Sequence, residues 1–296
     1  MHEKDVRHHM SIDHQGGVRL SIITPVFNGI RFIESCIINV IEQNCRGLEH
    51  IIIDGGSSDG TVDVIRAYAK RYGHIKWISE KDKGQSDAMN KGIRMAQGDI
   101  LGFLNVDDFY EPNVLCRIIE YFKTLPEPSL IVGNCHRWND QGEIYEENRP
   151  AKLGMRDLML GWNINPCPVN PSQYFYHKSL HDKMGLYDED EHLTLDIDFI
   201  LRAVQVANVI YFDEFWGNYR FLRGSKTFDD EKRAERYRAI LRKYEKKLPL
   251  EQRMLITTTR LFCGLKHLIN RFRYFVQHPG EFFSKLISAI TVKRNE

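Results

Sequence analysis

The stretch GDILGFLNVDD, Gly98 to Asp108, joins a short apolar run to two adjacent carboxylates. The run Ile100–Leu104 is bounded by polar residues, a pattern typical of a short buried strand. Asp107 and Asp108 follow it, and like charges this close repel each other unless a cation offsets them. Because Mg²⁺ and Mn²⁺ prefer carboxylate oxygens, the pair is a candidate metal site. The structural alternative is that either aspartate caps the helix that enters at Pro112.

Strand and helix patterns alternate on both sides of this stretch. Before it, apolar spacing predicts three strands and three helices: Leu20–Thr24, Arg31–Gln43, His50–Ile53, Val62–Tyr72, Ile75–Ser79 and Gln85–Gln97. After it, we predict a helix over Asn113–Lys123 and a strand over Ser129–Gly133. This alternation predicts an α/β fold with a mostly parallel central sheet and helices on both faces.

Polar segments follow the first four predicted strands of this sheet: Pro25–Asn28, Asp54–Asp59, Glu80–Gly84 and Asn105–Asp108. Ligands of such sheets bind outside the carboxyl ends of the strands, so we expect these segments to form one site. Neither G-x-G-x-x-G nor G-x-x-x-x-G-K-[ST] is present. A nucleoside diphosphate bridged by Mg²⁺ or Mn²⁺ fits the pattern, and Asp54 can accept hydrogen bonds from a base or ribose.

The composition is that of an ordinary soluble globular protein. Of the 296 residues, 42% are hydrophobic and 27% are charged, and the net charge of +1 gives no reason to expect a nucleic-acid partner. Residues 1–18 lack an apolar signal core and are predicted to be a disordered leader, and no apolar run is long enough to span a membrane. The six cysteines contain no C-x-x-C pair and suit free thiols in a reducing compartment, which favours a cytoplasmic location.

Three segments in this order resemble family-2 glycosyltransferases of the GT-A fold: SIITPVFNG (Ser21–Gly29), IIIDGGSSDGT (Ile51–Thr61) and SEKDKGQSDAMNKGIRMAQGDILGFLNVDD (Ser79–Asp108). The resemblance continues more weakly to about Thr227 and implies a Rossmann-like GT-A domain over residues 19–227. It also implies inverting transfer of a sugar from a nucleotide-diphosphate sugar, most often UDP-linked, with Mn²⁺ or Mg²⁺ on the diphosphate. The acceptor would be a hydroxyl of a glycan or glycolipid in surface polysaccharide biosynthesis.

The resemblance assigns roles to residues of the motifs. It implies nucleotide or donor contacts from Pro25, Phe27, Asn28, Asp54, Ser57, Lys83, Gly84, Asp87 and Lys91. Asn105-Val106-Asp107 takes the D-x-D position, with Asn105 in place of the first aspartate. Asp107 is then the expected metal ligand, with Asn105 as a donor contact and Asp108 as a donor-sugar contact or second ligand.

Two later segments complete the implied site. TLDIDFILRA (Thr194–Ala203) resembles the family's E-D-Y-D-L-W-L-R and makes Asp196 the expected catalytic base, ahead of Asp198. Capping of a helix over Phe199–Val206 is the structural alternative for both aspartates. YRFLRGSKT (Tyr219–Thr227) resembles the closing loop Y-R-x-H-x-x-S-x-S, but Leu222 replaces its histidine. Arg220 or Arg223 could contact the diphosphate there, or lie solvated.

Residues 228–296 are predicted to form a helical extension. A charged helix is predicted over Asp229–Lys247, and beyond Pro249 the apolar residues Phe262, Leu265, Ile269, Phe272 and Val276 follow an amphipathic helical spacing. Glu251–Glu296 holds eight Lys or Arg and three Glu, a net charge of +5. With Phe282-Phe283 and Leu286-Ile287 it could lie on an anionic membrane surface, pack on its own domain, or join two copies in a homodimer.

Three other functions fit parts of the pattern. A transferase that moves sugar to a polyprenyl phosphate is the alternative among enzymes of this kind. A nucleotidyltransferase also uses metal-bound carboxylates, but no basic glycine-rich loop follows the first strand. A non-catalytic sugar-nucleotide-binding protein is less compatible with the presence of Asp107, Asp108 and Asp196.

Overall fold

The computed structural model describes residues 19–190, 194–224, 228 and 231–277. The predicted disordered leader and the apolar pairs near residues 282 and 286 lie outside the described residues. Nine strands and nine helices are described, in the order β1 (Leu20–Val26), α1 (Ile33–Glu42), β2 (Leu48–Asp54), α2 (Thr61–Arg71), β3 (Ile75–Ser79), α3 (Gln85–Met95), β4 (Ile100–Phe103), β5 (Phe109–Tyr110), α4 (Val114–Phe122), β6 (Ser129–Trp138), β7 (Ile144–Asn148), α5 (Met155–Met159), β8 (Tyr174–His177), α6 (Leu180–Met184), α7 (Leu195–Ala203), β9 (Asn208–Arg220), α8 (Arg233–Glu245) and α9 (Leu250–Gln277). A short 3₁₀ turn, Pro171–Gln173, precedes β8.

One nine-stranded sheet runs through the chain in the order β3-β2-β1-β4-β8-β6-β9-β5, with β7 paired to β6. The first four strands are parallel, as the alternation of strands and helices predicted. β8 lies antiparallel between β4 and β6, and β6 pairs in parallel with β9. The predicted α/β fold with a central sheet is therefore confirmed, and the second half of the sheet adds antiparallel pairs that were not predicted.

Helices cover both faces of the parallel half. Successive strand residues point to opposite faces, so Ile22 of β1 joins Cys36 and Val40 of α1 in one buried cluster. On the other face α3 approaches β1 so closely that a Cβ on Gly92 would lie 2.3 Å from Cγ2 of Ile23. Only glycine permits this contact, because the side chain of Ile23 fills the space that a Cβ would need.

The predicted helices are present, with shifts at their ends. α7 begins at Leu195 rather than Phe199, so Asp196 and Asp198 lie inside its first turn, and the expectation that they precede the helix was wrong. The N-cap of α7 is Thr194. Asn113 is the N-cap of α4, so neither Asp107 nor Asp108 caps it. The capping alternatives for these aspartates are thereby excluded.

The cysteines divide into two groups. Cys36, Cys135 and Cys167 are buried free thiols, as expected, and Cys263 is a half-buried free thiol. Cys45 and Cys116 instead form a disulfide with a Cα–Cα distance of 5.3 Å, so the expectation of free thiols was wrong for this pair. The bond joins the segment after α1 to α4, which lie 71 residues apart in the sequence and meet only through tertiary packing.

The chain divides into two compact units, with the boundary between Tyr244 and Glu245. The first unit contains the sheet and α1–α7, and the second contains α9. The domain limit expected near residue 227 stays a prediction. No helix among the described residues is both long and apolar enough to cross a membrane.

Candidate active site

The end of β2 carries a buried carboxylate with unused hydrogen-bonding capacity. Asp54 is 0% exposed, and its Oδ2 accepts hydrogen bonds from the backbone N–H groups of Gly56 and Ser57, each at 3.0 Å, and from the hydroxyl of Ser79 at 2.6 Å. Its Oδ1 is buried and has no hydrogen-bond partner among the described residues. A buried acceptor without a donor is costly, so Oδ1 fits a role in binding an N–H or O–H group of a ligand.

The turns after β1 and β2 are tied to each other. The backbone N–H of Asn28, which has a φ of +50°, donates to Ser57 Oγ at 2.7 Å, and the Asn28 side chain accepts from the N–H of Ser58 at 3.0 Å. Beside these turns Phe27 is 65% exposed, and Pro25 pairs in register with Ile53. An exposed aromatic ring beside a buried acceptor suits a planar base, because the ring can stack while the acceptor takes a hydrogen bond.

The loop after β3 closes over the same edge. Asp82 accepts the backbone N–H of Gly84 at 2.9 Å and lies so close to Gly55 that a Cβ there would be 2.5 Å from its Oδ2. At the start of α3, Asp87 accepts the N–H of Lys83 at 3.1 Å and pairs with Lys91 at 3.4 Å. Through these two contacts Asp87 fixes the loop after β3 to the first turns of α3.

Lys83 itself has an exposed ammonium group. Its Nζ pairs with Oε2 of Glu189 at 2.9 Å, and 77% of the Lys83 side chain is exposed. A surface ion pair of this kind contributes little free energy and can be exchanged for a ligand phosphate. The predicted contact between Lys83 and the nucleotide stays a prediction.

The acidic turn between β4 and β5 contains two carboxylates in different settings. Asp108 is 1% exposed, and three donors fill its oxygens: the Asn105 amide at 3.1 Å, the Asn170 amide at 2.7 Å and the backbone N–H of Arg220 at 2.9 Å. Asp107 is partly exposed, and no other described residue donates a hydrogen bond to its carboxylate. Asp107 is therefore the carboxylate with free oxygens, while Asp108 joins its own turn to two distant segments.

Burial dominates the acidity of both groups. It raises the pKa of Asp107, and the charge of Arg220 opposes that rise. Burial followed by the charge of Asp107 raises the pKa of Asp108 well above its usual range, and the three donors to its oxygens act in the opposite direction. The Arg220 guanidinium lies 4.6 Å from the centre of the Phe109 ring and donates to the backbone carbonyl of Asp107 at 2.7 Å. The guanidinium of Arg220 thus supports the turn that carries Asp107 and Asp108.

The donor chemistry of the turn fits a hard divalent cation. Oxygen ligands from a carboxylate are those that Mg²⁺ and Mn²⁺ prefer, and the free carboxylate of Asp107 supplies them. No cluster of three or more His, Cys, Asp or Glu suited to a metal occurs in the described part of the chain. A cation here would have Asp107 as its protein ligand and would need further oxygens from a bound diphosphate.

Asp196 lies in the first turn of α7 and is held by Tyr174. The Tyr174 hydroxyl donates to Asp196 Oδ1 at 3.0 Å. Burial raises the pKa of Asp196 to about 6, and this hydrogen bond opposes the rise. Tyr174 begins β8 one residue before Phe175, which pairs with Gly102, so Tyr174 lies at the carboxyl end of β4. The candidate base is therefore linked to the edge of the sheet that carries the acidic turn.

Asp198, two residues later, is fully committed to structure. It is 5% exposed and accepts from Arg202 Nε and the Tyr244 hydroxyl, each at 2.7 Å. Arg223, the other arginine considered for the diphosphate, pairs with Asp140 at 3.3 Å. Of the two arginines, Arg220 is the one with a described contact to the acidic turn.

Sequence reasoning missed four side chains that contact the candidate residues. Each donates a hydrogen bond: Ser79 to Asp54, Gln85 to Asn105 at 3.1 Å, Asn170 to Asp108 and Tyr174 to Asp196. Ser79 and Gln85 flank the motif loop after β3 and could have been proposed from that position. Nothing in the local sequence around Asn170 or Tyr174 signals their partners, because those contacts depend on where β8 enters the sheet.

The model of glycosyl transferase family 2 matches residues 21–185. An uncharacterised glycosyltransferase of Mycobacterium tuberculosis is 32% identical over 193 residues, which cover 64% of this chain and 71% of the relative. A Mycobacterium bovis protein named PGL/p-HBAD biosynthesis glycosyltransferase is 29% identical over 62% of this chain and 68% of the relative.

Two solved structures extend the likeness to the fold. Staphylococcus aureus TarS 1–349 in complex with UDP-GlcNAc superposes with a TM-score of 0.58 at 14% identity, covering 80% of this chain and 79% of that chain. The mannosyltransferase PcManGT of Pyrobaculum calidifontis, in complex with GDP-Man and Mn²⁺, gives 0.52 at 18% identity, covering 77% and 63%. The fold is that of the GT-A glycosyltransferases. The chain belongs to glycosyl transferase family 2.

Proposed function

We propose that this glycosyltransferase carries out metal-dependent, inverting transfer of a hexose-type sugar. The donor would be a UDP-linked sugar, and the acceptor would be a hydroxyl of a glycan or glycolipid used in surface polysaccharide biosynthesis. The observation that carries the proposal is the placement of two carboxylates with unused capacity, Asp107 and Asp196, at one edge of the sheet. Resemblance to the family does not by itself require that the oxygens of Asp107 and Asp196 be free to bind a cation or accept a proton.

The nucleotide half of the proposal rests on Asp54 and its surroundings. Its unpartnered Oδ1 can accept from the N–H of a uracil or from a ribose hydroxyl, and the exposed Phe27 ring can cover the base. Pro25, Asn28, Ser57, Lys83, Gly84, Asp87, Lys91 and Asn105 remain the proposed supporting contacts. The named complex of TarS with UDP-GlcNAc supports a uridine donor for a protein of this fold.

Asp107 would hold the divalent cation, Mn²⁺ or Mg²⁺, together with the diphosphate. The cation would offset the negative charge that develops on the departing nucleotide diphosphate. Arg220, which already supports the turn, is the proposed protein contribution to the same charge. Asp108 was predicted to contact the donor sugar or to be a second metal ligand. Its carboxylate already accepts three hydrogen bonds within the protein, so we propose that it supports the turn.

Asp196 would take the proton from the attacking acceptor hydroxyl. A carboxylate with a pKa of about 6 is still ionised at neutral pH and is more basic than an ordinary aspartate. Tyr174 orients it by donating to Oδ1, which leaves Oδ2 for the hydroxyl proton. Attack from the side of Asp196 with departure on the side of Asp107 gives inversion at the anomeric carbon.

The proposed acceptor is a hydroxyl of a glycan or glycolipid. The name of the Mycobacterium bovis relative supports a glycolipid acceptor. We retain the cytoplasm as the proposed location and a homodimer as a proposed assembly, and we propose no nucleic-acid partner. Sugar transfer to a polyprenyl phosphate is the alternative within the same chemistry.

A screen of nucleotide-diphosphate sugars with Mn²⁺ tests the proposal. A ligand that binds the folded chain raises its apparent stability, so the correct donor should raise the melting temperature only when Mn²⁺ is present. With the donor and an acceptor extract, nuclear magnetic resonance of the product should report the anomeric configuration opposite to that of the donor. Absence of Mn²⁺-dependent binding of every nucleoside diphosphate, or retention of configuration, would contradict it.

A further inference from the structure

The helix α9 (Leu250–Gln277) presents a row of large apolar side chains to solvent. The exposed members are between 44% and 69% exposed: Leu250, Met254, Leu255, Leu261, Phe262, Leu265, Leu268 and Ile269. A continuous row of exposed apolar side chains marks an interaction surface, because apolar residues on a protein surface are normally scattered singly. We call these eight residues the apolar face of α9.

These residues share one side of the helix. At 3.6 residues per turn, the eight positions fall within roughly 140° of the helix circumference. Ile256, which is 0% exposed, lies outside this sector, on the far side of the helix. The buried and exposed apolar residues of α9 therefore belong to different faces.

Cations border the apolar face. Leu250–Gln277 contains five basic residues, Arg253, Arg260, Lys266, Arg271 and Arg273, against the single acid Glu251, a net charge of +4. By the same helical geometry, Arg253 lies beyond one edge of the apolar face and Lys266 and Arg273 lie at the other. Arg253, Lys266 and Arg273 are exposed, whereas Arg260 pairs with Glu245 at 2.9 Å.

We propose that the apolar face of α9 docks on an anionic lipid bilayer, with the helix lying in the plane of the interface. Apolar side chains would enter the boundary between headgroups and acyl chains, and the flanking cations would pair with lipid phosphates. No described helix is fit to span a membrane, so a bound helix would lie on the surface. The proposal does not depend on which sugar is transferred.

Charge favours lipid over a second copy of the chain. Pairing of two α9 helices through this face would bring together two segments that each carry a net +4, and their bordering cations would repel. An anionic surface removes that repulsion and adds attraction for each exposed cation. The occupant with the complementary charge is therefore the membrane.

Co-sedimentation of the full chain with vesicles tests the proposal. We expect binding to vesicles of phosphatidylcholine mixed with phosphatidylglycerol to be at least about tenfold tighter than binding to phosphatidylcholine alone, and to weaken as salt is added. The double variant Phe262→Ser/Leu265→Ser should lose at least about tenfold in partitioning, because it removes two apolar side chains that would enter the bilayer. The matched variant Gln252→Ser/Asn270→Ser changes polar positions on the other side of the helix and should stay within about twofold.

Three results would overturn the proposal. The first is equal binding to both kinds of vesicle, and the second is an equal loss in the two double variants. The third is a dimer in sedimentation equilibrium that dissociates in Phe262→Ser/Leu265→Ser, since the apolar face would then belong to a second copy. Mn²⁺-dependent nucleotide binding, measured on the same samples, reports separately on the proposed transfer function and should be unchanged in both variants.

Discussion

Replacement of Asp196 by asparagine separates the proposed catalytic role of this carboxylate from its effect on stability. The substitution keeps the size of the side chain and an oxygen that can accept from the Tyr174 hydroxyl, which lies 3.0 Å from Asp196 Oδ1. It removes the negative charge and the ability to accept a proton. Transfer should fall by about 10²–10⁴-fold in kcat, the usual contribution of a positioned base.

The same change should stabilise the fold at neutral and alkaline pH. Burial raises the pKa of Asp196 from 3.8 to about 6, so the folded chain binds this proton more tightly than the unfolded chain. The stability that Asp196 contributes is full below about pH 4 and is lost as the pH rises through about 6. Above that pH the ionised group destabilises the fold, and asparagine carries no such penalty.

The size of the gain follows from the shift. Each pKa unit corresponds to about 1.4 kcal/mol, so the rise from 3.8 to about 6 corresponds to about 3 kcal/mol. Because Asp196 is half-buried, solvent screening reduces the expected gain to about 1–2 kcal/mol. Roughly half of that gain should remain at about pH 5, since Asp196 is then mostly protonated in the folded chain but ionised in the unfolded chain.

Urea denaturation of the wild type and Asp196→Asn at about pH 8 and about pH 5 measures this gain, and turnover is measured on the same preparations. Asp198→Asn is the matched control, because Asp198 lies in the same turn but accepts from Arg202 and Tyr244. That variant should lose about 1–3 kcal/mol, since it weakens a charge-assisted hydrogen bond in a buried site. If Asp196→Asn lost stability as Asp198→Asn does, the inference that the buried charge of Asp196 destabilises the fold would be wrong. If it kept near-normal turnover, the assignment of the base would be wrong.

The remaining predictions concern the acidity of the base and the two ends of the donor site. The value of kcat/KM should fall about tenfold per pH unit below about pH 6 as Asp196 becomes protonated. Tyr174→Phe should move this fall to higher pH, because it removes the hydrogen bond that lowers the pKa of Asp196. An unchanged pH profile in Tyr174→Phe would contradict the role of Tyr174 in setting the pKa of Asp196. Asp54→Asn should weaken binding of a nucleoside diphosphate by at least about tenfold in calorimetry, because the amide can no longer offer two acceptor oxygens; unchanged affinity would remove Asp54 from the site. Asp107→Ala should abolish the Mn²⁺ dependence of nucleoside diphosphate binding with little change in melting temperature. Asp108→Ala should lower the free energy of unfolding by about 2–4 kcal/mol, because it leaves three hydrogen-bond donors unpaired. Equal losses of stability in the two variants would show that the two carboxylates do not have separate roles.

The parallel half of the sheet could be read from the sequence because its signals are local. Each strand from β1 to β4 is a short apolar run, each helix between them has its own apolar period, and each turn at the carboxyl end carries its own motif. Short connections then leave few ways to arrange these elements. Asp54 and Asp107 were predicted at one edge for this reason, since Asp54 ends β2 and Asp107 lies in the turn after β4.

The second half of the sheet depends on pairings that no local pattern announces. β8 enters antiparallel between β4 and β6, and β9 returns to pair with β6. These pairings bring Asn170 and Arg220, 62 and 112 residues beyond Asp108, onto a single carboxylate. The same arrangement places Tyr174 against Asp196, and burial in that place raises the pKa of Asp196.

The sequence by itself therefore determined the order of strands and helices in the first half, the edge where the site lies and the residue types available there. It did so because helix and strand periods, turn residues and strand ends are encoded within short windows. Only the tertiary structure decided that Asp108 is internally satisfied while Asp107 keeps free oxygens, and that Asp196, not Asp198, lacks a basic partner. Burial and hydrogen-bond partners arise from segments far apart in the chain, so residues adjacent in sequence acquire different chemistry only when the sheet is complete.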